Sequence, residues 1–480
     1  MLRGTESALA RRRVRRSRSS FTAERPDITL APGTDTLPQI EHVVVVMMEN
    51  HSYDNYLGML VGHGEGLTVD SSGQPTATNQ AGGGTAVRLE HFAGTTQVAG
   101  VPTQTWNASH IQFDSGACDG FVRSIERTLP GKDPTVAMRY WTEQDLPFYC
   151  GLARTFPLAT RWFSSCLGPT FPNRRFLIAG TANGLIDDLV FGMADYPKAG
   201  TIFDLLTAHG ISWINYHHVP PVRFGLKRLL GTHSLSFFRK LGAAVAAFVP
   251  QARNALQSKI QVTADLYPLG TLRSANHLRS MDRFFQDAAA GSLPAFSIVD
   301  PDFGQWSEEN PQDIQRGEGF AAAVINAVMH GKGWPKTLLI WLYDEHGGYF
   351  DHVCPPPAEA PDDVPGQSPM DRYLLLRWLR LTPWGKQIEL IDAGPSSYDR
   401  FGFRVPAVVV SPYARPGYVT DGVFDHTSIL KLLERKWNLP ALTKRDLAAQ
   451  DPLGALDLAG PPAFLVPPTL PAPAIPFSGS

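Results

Sequence analysis

The chain has 480 residues and a formal net charge of −2, which argues against a nucleic-acid partner because such a partner selects a basic surface. Its 43% hydrophobic and 10% aromatic residues can form a large core, so disorder is excluded for most of the chain. Apolar runs such as 43–48 and 338–343 have six residues each, far short of the roughly 20 that span a bilayer, so we expect a soluble protein with no transmembrane segment.

The chain begins with an Arg-rich stretch, MLRGTESALARRRVRRSRSS. No apolar segment of the kind found in export signals follows it, and residues 1–36 are predicted to be a disordered tail. The sequence as written therefore indicates a cytoplasmic protein, with export as the alternative. The cysteines at positions 118, 150, 166 and 354 form no CxxC pair, so a structural zinc site is not predicted and the redox compartment is left undecided.

Residues 37–458 are predicted to form one domain, because no repeat of fixed period is visible in the chain. Short apolar runs alternate there with segments of helical period. This alternation is typical of the α/β class, with a mainly parallel central sheet and helices on both faces. The first run, HVVVVMMEN at 42–50, predicts a strand that is buried on both faces and ends at Glu49 and Asn50.

Thr170 lies in the next informative segment, FSSCLGPTFPNRRFLIAGT at 163–181. It is placed between two prolines, in a turn whose backbone should be stiff, and just before Asn173 and Arg174. A hydroxyl beside a divalent ion can attack phosphorus, and a guanidinium can hold phosphoryl oxygens through two hydrogen bonds. An ordinary loop whose threonine caps a helix is the alternative, since GPT alone is not a specific motif.

The segment 220–268 is apolar and dotted with Lys and Arg. It predicts a helical insertion, which is either a lid that touches lipid or a helix pair packed on the sheet. A second buried strand follows in TLLIWLYDEHGG at 337–348, ending at Asp344 and Glu345, and VPAVVVSPYA at 405–414 predicts a third. Residues 459–480 are Pro-rich and should lie extended over the surface.

Acids that follow two parallel strands converge on the crevice beyond the carboxyl ends of the sheet. Two such pairs are present, Glu49 with Asn50 and Asp344 with Glu345. One pair alone could be a helix cap or solvated, but four oxygen donors at one buried place repel one another unless a cation lies among them. The set favours one hard divalent ion, Ca²⁺, Mg²⁺ or Mn²⁺, with iron or zinc as alternatives.

Three histidines, His110, His352 and His426, are candidates for protonating a leaving group. Each lies next to turn residues rather than within an apolar stripe. His426 also comes just before an amphipathic helix, whose N-cap would be Asp425 or Thr427. A structural role is the alternative for each of the three histidines.

Six stretches of the chain resemble successive blocks of the bacterial phosphoesterase family, which includes phospholipases C and acid phosphatases. They are IEHVVVVMMENHSYDNYLG, LGPTFPNR, LPAFSIVDPDF, WLYDEHGGYFDHVCPP, RVPAVVVSPYARPGYV and FDHTSILKLLERKW. They occur in family order and cover roughly residues 38–455, so the resemblance is specific as a set. It implies an alkaline-phosphatase-like α/β fold, hydrolysis of phosphoric esters and a metal-assisted threonine or serine nucleophile.

The resemblance also implies roles for individual residues. The metal-binding pairs of the family match Glu49 with Asn50 and Asp344 with Glu345, and its nucleophile, which also contacts the metal, matches Thr170. His352 and His426 lie in matching blocks without an assigned role. Two positions depart from the family, because Gln104 and Asn310 stand where histidines are usual. An asparagine can donate a hydrogen bond to a phosphoryl oxygen but cannot act as a general acid, so Asn310 and Asn173 are predicted to bind substrate.

The predicted function is therefore a metal-dependent hydrolase of phosphoric esters of phospholipase C type. Thr170 would attack phosphorus, and Arg174 with the cation would hold the phosphate. The partner would be a phosphate ester, a phospholipid included, with peripheral membrane contact as an expectation. Two alternatives remain, an acid phosphatase acting on soluble monoesters and a catalytically silent homologue that binds metal or phosphate. A sulfatase is not predicted, because no CxPxR-like segment is present.

Overall fold

The computed structural model describes residues 25–188, 196–218, 262–267, 274–368 and 397–478. The predicted insertion at 220–268 lies outside the described residues except for 262–267, and the Arg-rich stretch before residue 25 lies outside them as well. The strands are β1 His42–Met48, β2 Thr78–Gln80, β3 Ala86–Arg88, β4 Glu90–His91, β5 Arg139–Tyr140, β6 Leu158–Ala159, β7 Trp213–His217, β8 Leu278–Ser280, β9 Phe296–Val299, β10 Thr337–Tyr343, β11 Ala407–Val410 and β12 Val419–Thr420. The α-helices are α1 Tyr53–Leu57, α2 Trp106–Phe113, α3 Phe121–Thr128, α4 Pro147–Thr155, α5 Thr170–Ala179, α6 Ile202–Ala208, α7 Met281–Ala290, α8 Ile314–Met329, α9 Thr427–Lys436 and α10 Lys444–Ala448.

Eight of these strands form one sheet in the order β12-β6-β11-β10-β1-β9-β7-β8. The five strands from β10 to β8 are mutually parallel, whereas β11 runs antiparallel to both of its neighbours. The predicted, mainly parallel sheet is thus confirmed. In the pairing of β1 with β10, Met48 lies beside Tyr343. Because both strands end at this pair, the residues that follow, Glu49 and Asp344, leave the sheet side by side.

Both faces of the sheet are covered. Every residue of β9, β10 and β11 is buried, and so is every residue of β1 after its first, as the continuous apolar runs of the sequence predict. Among the described helices, α8 contacts both α4 and α7, α5 contacts both α6 and α9, α9 contacts α10, and α2 contacts α3. Among the residues described, no helix is long and apolar enough to span a bilayer.

The Pro-rich C-terminal segment, residues 459–478, runs over the surface without forming a helix or strand. Phe464 donates its backbone N–H to the carbonyl oxygen of Pro412 and accepts a hydrogen bond from the Trp334 indole. Nearer the end of the chain, Phe477 packs edge-on against Trp306. Aromatic side chains therefore hold a segment in which prolines leave few backbone donors.

A disulfide joins Cys118 to Cys354, across 236 residues of sequence. Cys118 lies between α2 and α3, and Cys354 lies in the loop that follows β10. The bond therefore links that loop covalently to the connection between α2 and α3. Cys150 and Cys166 are buried thiols.

Candidate functional site

The two predicted oxygen pairs lie together at the carboxyl edge of the sheet. One Asp344 carboxylate oxygen accepts hydrogen bonds from the backbone N–H groups of Asn50, at 3.1 Å, and of Glu345, at 2.8 Å. All the side chains of both pairs are buried. Gly347 makes this approach sterically feasible, because a Cβ atom there would lie 1.9 Å from the Asn50 carbonyl oxygen.

Thr170 is the first residue of α5, and its hydroxyl lies 3.3 Å from a carboxylate oxygen of Glu49. The turn that presents it is held by Asn173. The Asn173 amide oxygen accepts from the Cys166 N–H at 3.0 Å, and its amide nitrogen donates to the Gly168 carbonyl at 2.9 Å. Asn173 thus binds the turn beneath the nucleophile candidate in this structure, instead of facing an open crevice.

Arg174 lies within the acidic cluster and is fully buried. Its guanidinium nitrogens are 2.9 Å from Glu49, 3.2 Å from Asp344 and 3.4 Å from Asp300. It also donates to the carbonyl oxygens of Met47 and Met48. Burial alone would lower the pKa of the guanidinium, but the surrounding carboxylates outweigh burial and raise it. A bidentate contact with phosphate would require several of these bonds to break.

The charges and donors of the site fit a cation. Burial raises the pKa of Glu49 and of Glu345 well above the usual range, and the charge of Asp344 raises both further. The Asn50 amide oxygen and one Glu345 carboxylate oxygen are buried without a hydrogen-bond partner among the described residues. Buried acceptors left without donors are rare in proteins. A hard divalent ion, which takes oxygen ligands, would satisfy both.

A second group of candidate ligands comprises Asp54, Asp351 and His352, whose ligand atoms lie within 4.8 Å of one another. Arg404 donates to Asp54 at 3.0 Å and to Asp351 at 2.8 Å, so a positive charge already lies between these acids. His352 Nδ1 is 2.6 Å from the other Asp54 oxygen. Burial opposes protonation of this imidazole, but the Asp54 carboxylate prevails and the pKa of His352 is raised.

The other two histidines contact backbone carbonyls. His426 Nε2 lies 2.6 Å from the carbonyl oxygen of Asp344, and the Trp162 indole donates to its Nδ1 at 3.5 Å. His110 Nδ1 lies 2.7 Å from the Trp106 carbonyl, one turn earlier in α2. Burial lowers the pKa of both imidazoles. His426 therefore orients the backbone of a candidate ligand as a neutral ring.

Asn310 is engaged by the loop 98–101. Its amide nitrogen donates to the carbonyl oxygens of Val98, at 2.6 Å, and of Val101, and its amide oxygen accepts from the Gly100 N–H at 2.7 Å. These bonds use both amide protons. A contact with a phosphoryl oxygen would have to replace one of them. At Gln104, the backbone carbonyl accepts from the Ser109 hydroxyl.

Two acids of the site were not selected from the sequence. Asp300 directly follows β9 and pairs with Arg174, while its other oxygen accepts from the Asn215 amide at 2.9 Å. The apolar run before it carries the same signal that selected Glu49. Asp188 accepts from the Phe171 N–H at 2.9 Å and so caps the first turn of α5. No local pattern distinguishes Asp188 from an ordinary loop residue.

The fold and this geometry define an α/β protein with a buried, oxygen-rich site at the carboxyl edge of a mainly parallel sheet. The model of the phosphoesterase family matches residues 40–440, and the chain belongs to that family. The resemblance seen in the sequence is confirmed, and the protein is a phosphoric-ester hydrolase.

Several relatives are phospholipases C by name. Phospholipase C B of Mycobacterium tuberculosis is 30% identical over 460 residues, which cover 89% of this chain and 79% of that protein. Non-specific phospholipase C6 of Arabidopsis thaliana is 26% identical over 437 residues, covering 85% and 70%. Among solved structures, a protein in the alkaline phosphatase superfamily from Vibrio parahaemolyticus is similar with a TM-score of 0.36 and 10% identity, covering 91% of this chain and 77% of that one.

Proposed function

We propose that this phosphoesterase hydrolyses phosphodiesters of the phospholipase C type, with Thr170 as the nucleophile and one divalent ion as cofactor. The observation that carries the proposal is the position of Thr170, whose hydroxyl lies 3.3 Å from Glu49 in a site of buried oxygen ligands. The names of the relatives support a phospholipid substrate.

The residues that would hold the ion are Glu49, Asn50, Asp344 and Glu345, with the Thr170 hydroxyl completing the set. Two buried oxygens that accept no hydrogen bond from the described part of the chain, on Asn50 and Glu345, support this assignment. When bound, a divalent ion supplies Lewis-acid stabilisation of phosphoryl oxygens and favours the deprotonated hydroxyl.

The chain's own residues would perform the transfer. The Thr170 hydroxyl gives up its proton, which Glu49 can accept, and the Thr170 oxygen attacks phosphorus. The bond from phosphorus to the leaving oxygen breaks, and that oxygen takes up the proton that Glu49 accepted, so Glu49 returns to its starting state. Water then attacks the phospho-threonine and releases the phosphate monoester and the Thr170 hydroxyl. The start of α5 favours negative charge on the threonine oxygen, because the positive end of the helix dipole lies there.

Arg174 and Asn173 would act by positioning. Arg174 keeps the carboxylates of Glu49 and Asp344 close together before the ion binds, since its guanidinium forms an ion pair with each. Asn173 keeps the turn before Thr170 in one conformation through its bonds to that turn. Pre-organisation of this kind reduces the rearrangement needed in the transition state.

The test compares wild type with Thr170→Ala and Thr170→Ser on p-nitrophenyl phosphorylcholine and p-nitrophenyl phosphate, after chelation and addition of single divalent ions. We expect Thr170→Ala to lose about 10³-fold or more in kcat with an unchanged circular dichroism spectrum. Thr170→Ser should keep measurable activity because it keeps a hydroxyl. Wild-type rates in Thr170→Ala would refute the assignment of Thr170 as the nucleophile.

The same substrates separate the alternatives. A higher rate on the monoester than on the choline diester under one condition would favour an acid phosphatase. Bound metal without hydrolysis of either ester between about pH 5 and pH 9, a range that brackets the usual pKa of histidine, would favour a silent homologue.

We also propose that the protein is exported to an oxidising compartment. The Cys118–Cys354 disulfide supports it, because such bonds persist outside the reducing cytosol. Thiol counting on protein isolated from separate cell fractions tests it. Two reactive thiols after unfolding indicate the oxidised form, whereas four in every fraction would refute export.

A further inference from the structure

The segment that follows β9 contacts the backbone of Glu49, the first candidate metal ligand. The backbone N–H of Glu49 donates to the carbonyl oxygen of Ser307 at 3.0 Å. The Ser307 backbone N–H and that of Glu308 in turn donate to the Gln312 side chain, at 3.0 and 3.2 Å. The Ser307 carbonyl is therefore a direct backbone contact of the first candidate ligand.

The Glu308 carboxylate is buried among three tyrosines. It accepts hydrogen bonds from the hydroxyls of Tyr149, at 2.6 Å, of Tyr56, at 2.8 Å, and of Tyr343. Burial raises the pKa of Glu308 to about 8, although the three hydroxyls oppose the shift. An apolar side chain would occupy a purely structural core position at a lower desolvation cost. The carboxylate therefore requires a reason other than packing.

The backbone of Glu308 is held as tightly as its side chain. Its φ of +72° lies in the left-handed region, which non-glycine residues rarely adopt. Its carbonyl oxygen accepts from the Gln97 amide at 2.6 Å and lies 3.2 Å from His51 Nε2. Gly317 leaves room for it, since a Cβ atom there would lie 2.1 Å from the Glu308 side chain. An unfavourable conformation fixed from several sides is typical of functional sites.

Glu308 is linked to each candidate ligand pair through one residue, Tyr343 on one side and Ser307 on the other. Tyr343 directly precedes Asp344 at the end of β10, and Ser307 directly precedes Glu308 and holds Glu49. Glu308 thus accepts a hydrogen bond from the residue that precedes Asp344, and it directly follows the residue whose carbonyl binds the Glu49 backbone. We propose that Glu308 is a positioning residue, which sets the spacing of the Glu49 and Asp344 pairs for the divalent ion. This inference rests on the proposed metal-dependent function.

The experiment uses the full chain with Glu308→Gln, and with Glu318→Gln as the matched control. Glu318 is also buried, accepts from the backbone N–H groups of Phe148 and Tyr149, and has a pKa that burial raises to about 7. The first readout is hydrogen exchange of the peptide containing Glu49. The second is Mn²⁺ affinity of the chelated protein by titration calorimetry, and the third is kcat and KM on the choline diester.

We expect Glu308→Gln to speed exchange in the Glu49 peptide and to weaken Mn²⁺ binding about 10- to 100-fold, the range found when residues that orient metal ligands are changed. Tyr149→Phe, which removes one hydroxyl and keeps the ring, should give a smaller change of the same sign. Glu318→Gln should leave both readouts at wild-type values, and kcat should fall more than KM rises in Glu308→Gln.

Wild-type exchange and Mn²⁺ affinity in Glu308→Gln would overturn the proposal, and so would equal losses in Glu318→Gln, which would indicate general loosening. If Glu308→Gln does not fold, Tyr149→Phe decides by the same criteria. A wild-type protein that binds Mn²⁺ but hydrolyses no ester would refute the proposed function alone. The exchange and affinity comparison would still decide the role of Glu308.

Discussion

Replacing Arg174 by methionine tests whether this residue balances charge or binds substrate. The change removes a buried positive charge shared by Glu49, Asp344 and Asp300, at 2.9, 3.2 and 3.4 Å, with all four side chains at most 2% exposed. Removing one partner of a buried ion pair typically costs about 3–5 kcal/mol, because the other charge is left uncompensated. We expect the metal-free protein to lose about that much free energy of unfolding.

The size of this loss should depend on metal and on pH. A bound divalent ion supplies positive charge to the same carboxylates, so the loss should be smaller in the loaded protein. The pKa of Glu49 is raised by burial and by Asp344, so protonation on lowering the pH relieves the repulsion in the variant. The loss should therefore be larger at pH 8 than at pH 5.

Urea unfolding of the chelated and metal-loaded proteins measures these differences. Arg283→Met is the matched control, because Arg283 pairs with Asp287 at 2.8 Å but is 55% exposed. An exposed pair contributes about 0–1 kcal/mol. The reasoning fails if Arg174→Met unfolds like wild type while KM for the ester rises 10-fold or more. That result would support the phosphate clamp predicted from the sequence.

Three further predictions concern a glycine of the candidate site, the disulfide and a buried glutamate. Gly347→Ala should abolish activity and lower stability, since the new Cβ would meet a carbonyl oxygen at 1.9 Å. Gly131 also has a positive φ, but no atom of the described residues lies within 4 Å of a Cβ built there, so Gly131→Ala should keep activity. Removing the Cys118–Cys354 disulfide by paired alanine substitution should cost about 2–5 kcal/mol, and an unchanged urea midpoint would contradict this. Burial and a neighbouring aspartate raise the pKa of Glu434 well above its usual value. The contribution of Glu434 to stability is therefore complete at pH values below the pKa of the unfolded chain, and it is lost as the pH rises through the pKa of the folded protein. Calorimetry from pH 5 to pH 8 should show a flatter decline of Tm in Glu434→Gln than in wild type, and parallel curves would count against the assignment.

The sequence by itself was sufficient for the fold class and for selecting most residues that the structure brings together in the candidate site. Continuous apolar runs predict strands buried on both faces, because an exposed face would carry polar residues at every second position. Acids at the ends of those runs, such as Glu49 and Asp344, must lie at one edge if the strands are parallel. Asp300 follows the same rule and could have been found by applying it to β9.

Only the tertiary structure decided which partner each side chain takes. Arg174 pairs with carboxylates about 125 to 170 residues away, and Asn310 binds a loop more than 200 residues earlier. Cys118 meets Cys354 across 236 residues. Such contacts follow from sheet register and loop packing, which depend on the whole core at once. The candidate oxygen ligands were therefore readable from local pattern, whereas the charge-balancing contacts of Arg174 and the tyrosine-bound Glu308 became visible only when distant segments packed together.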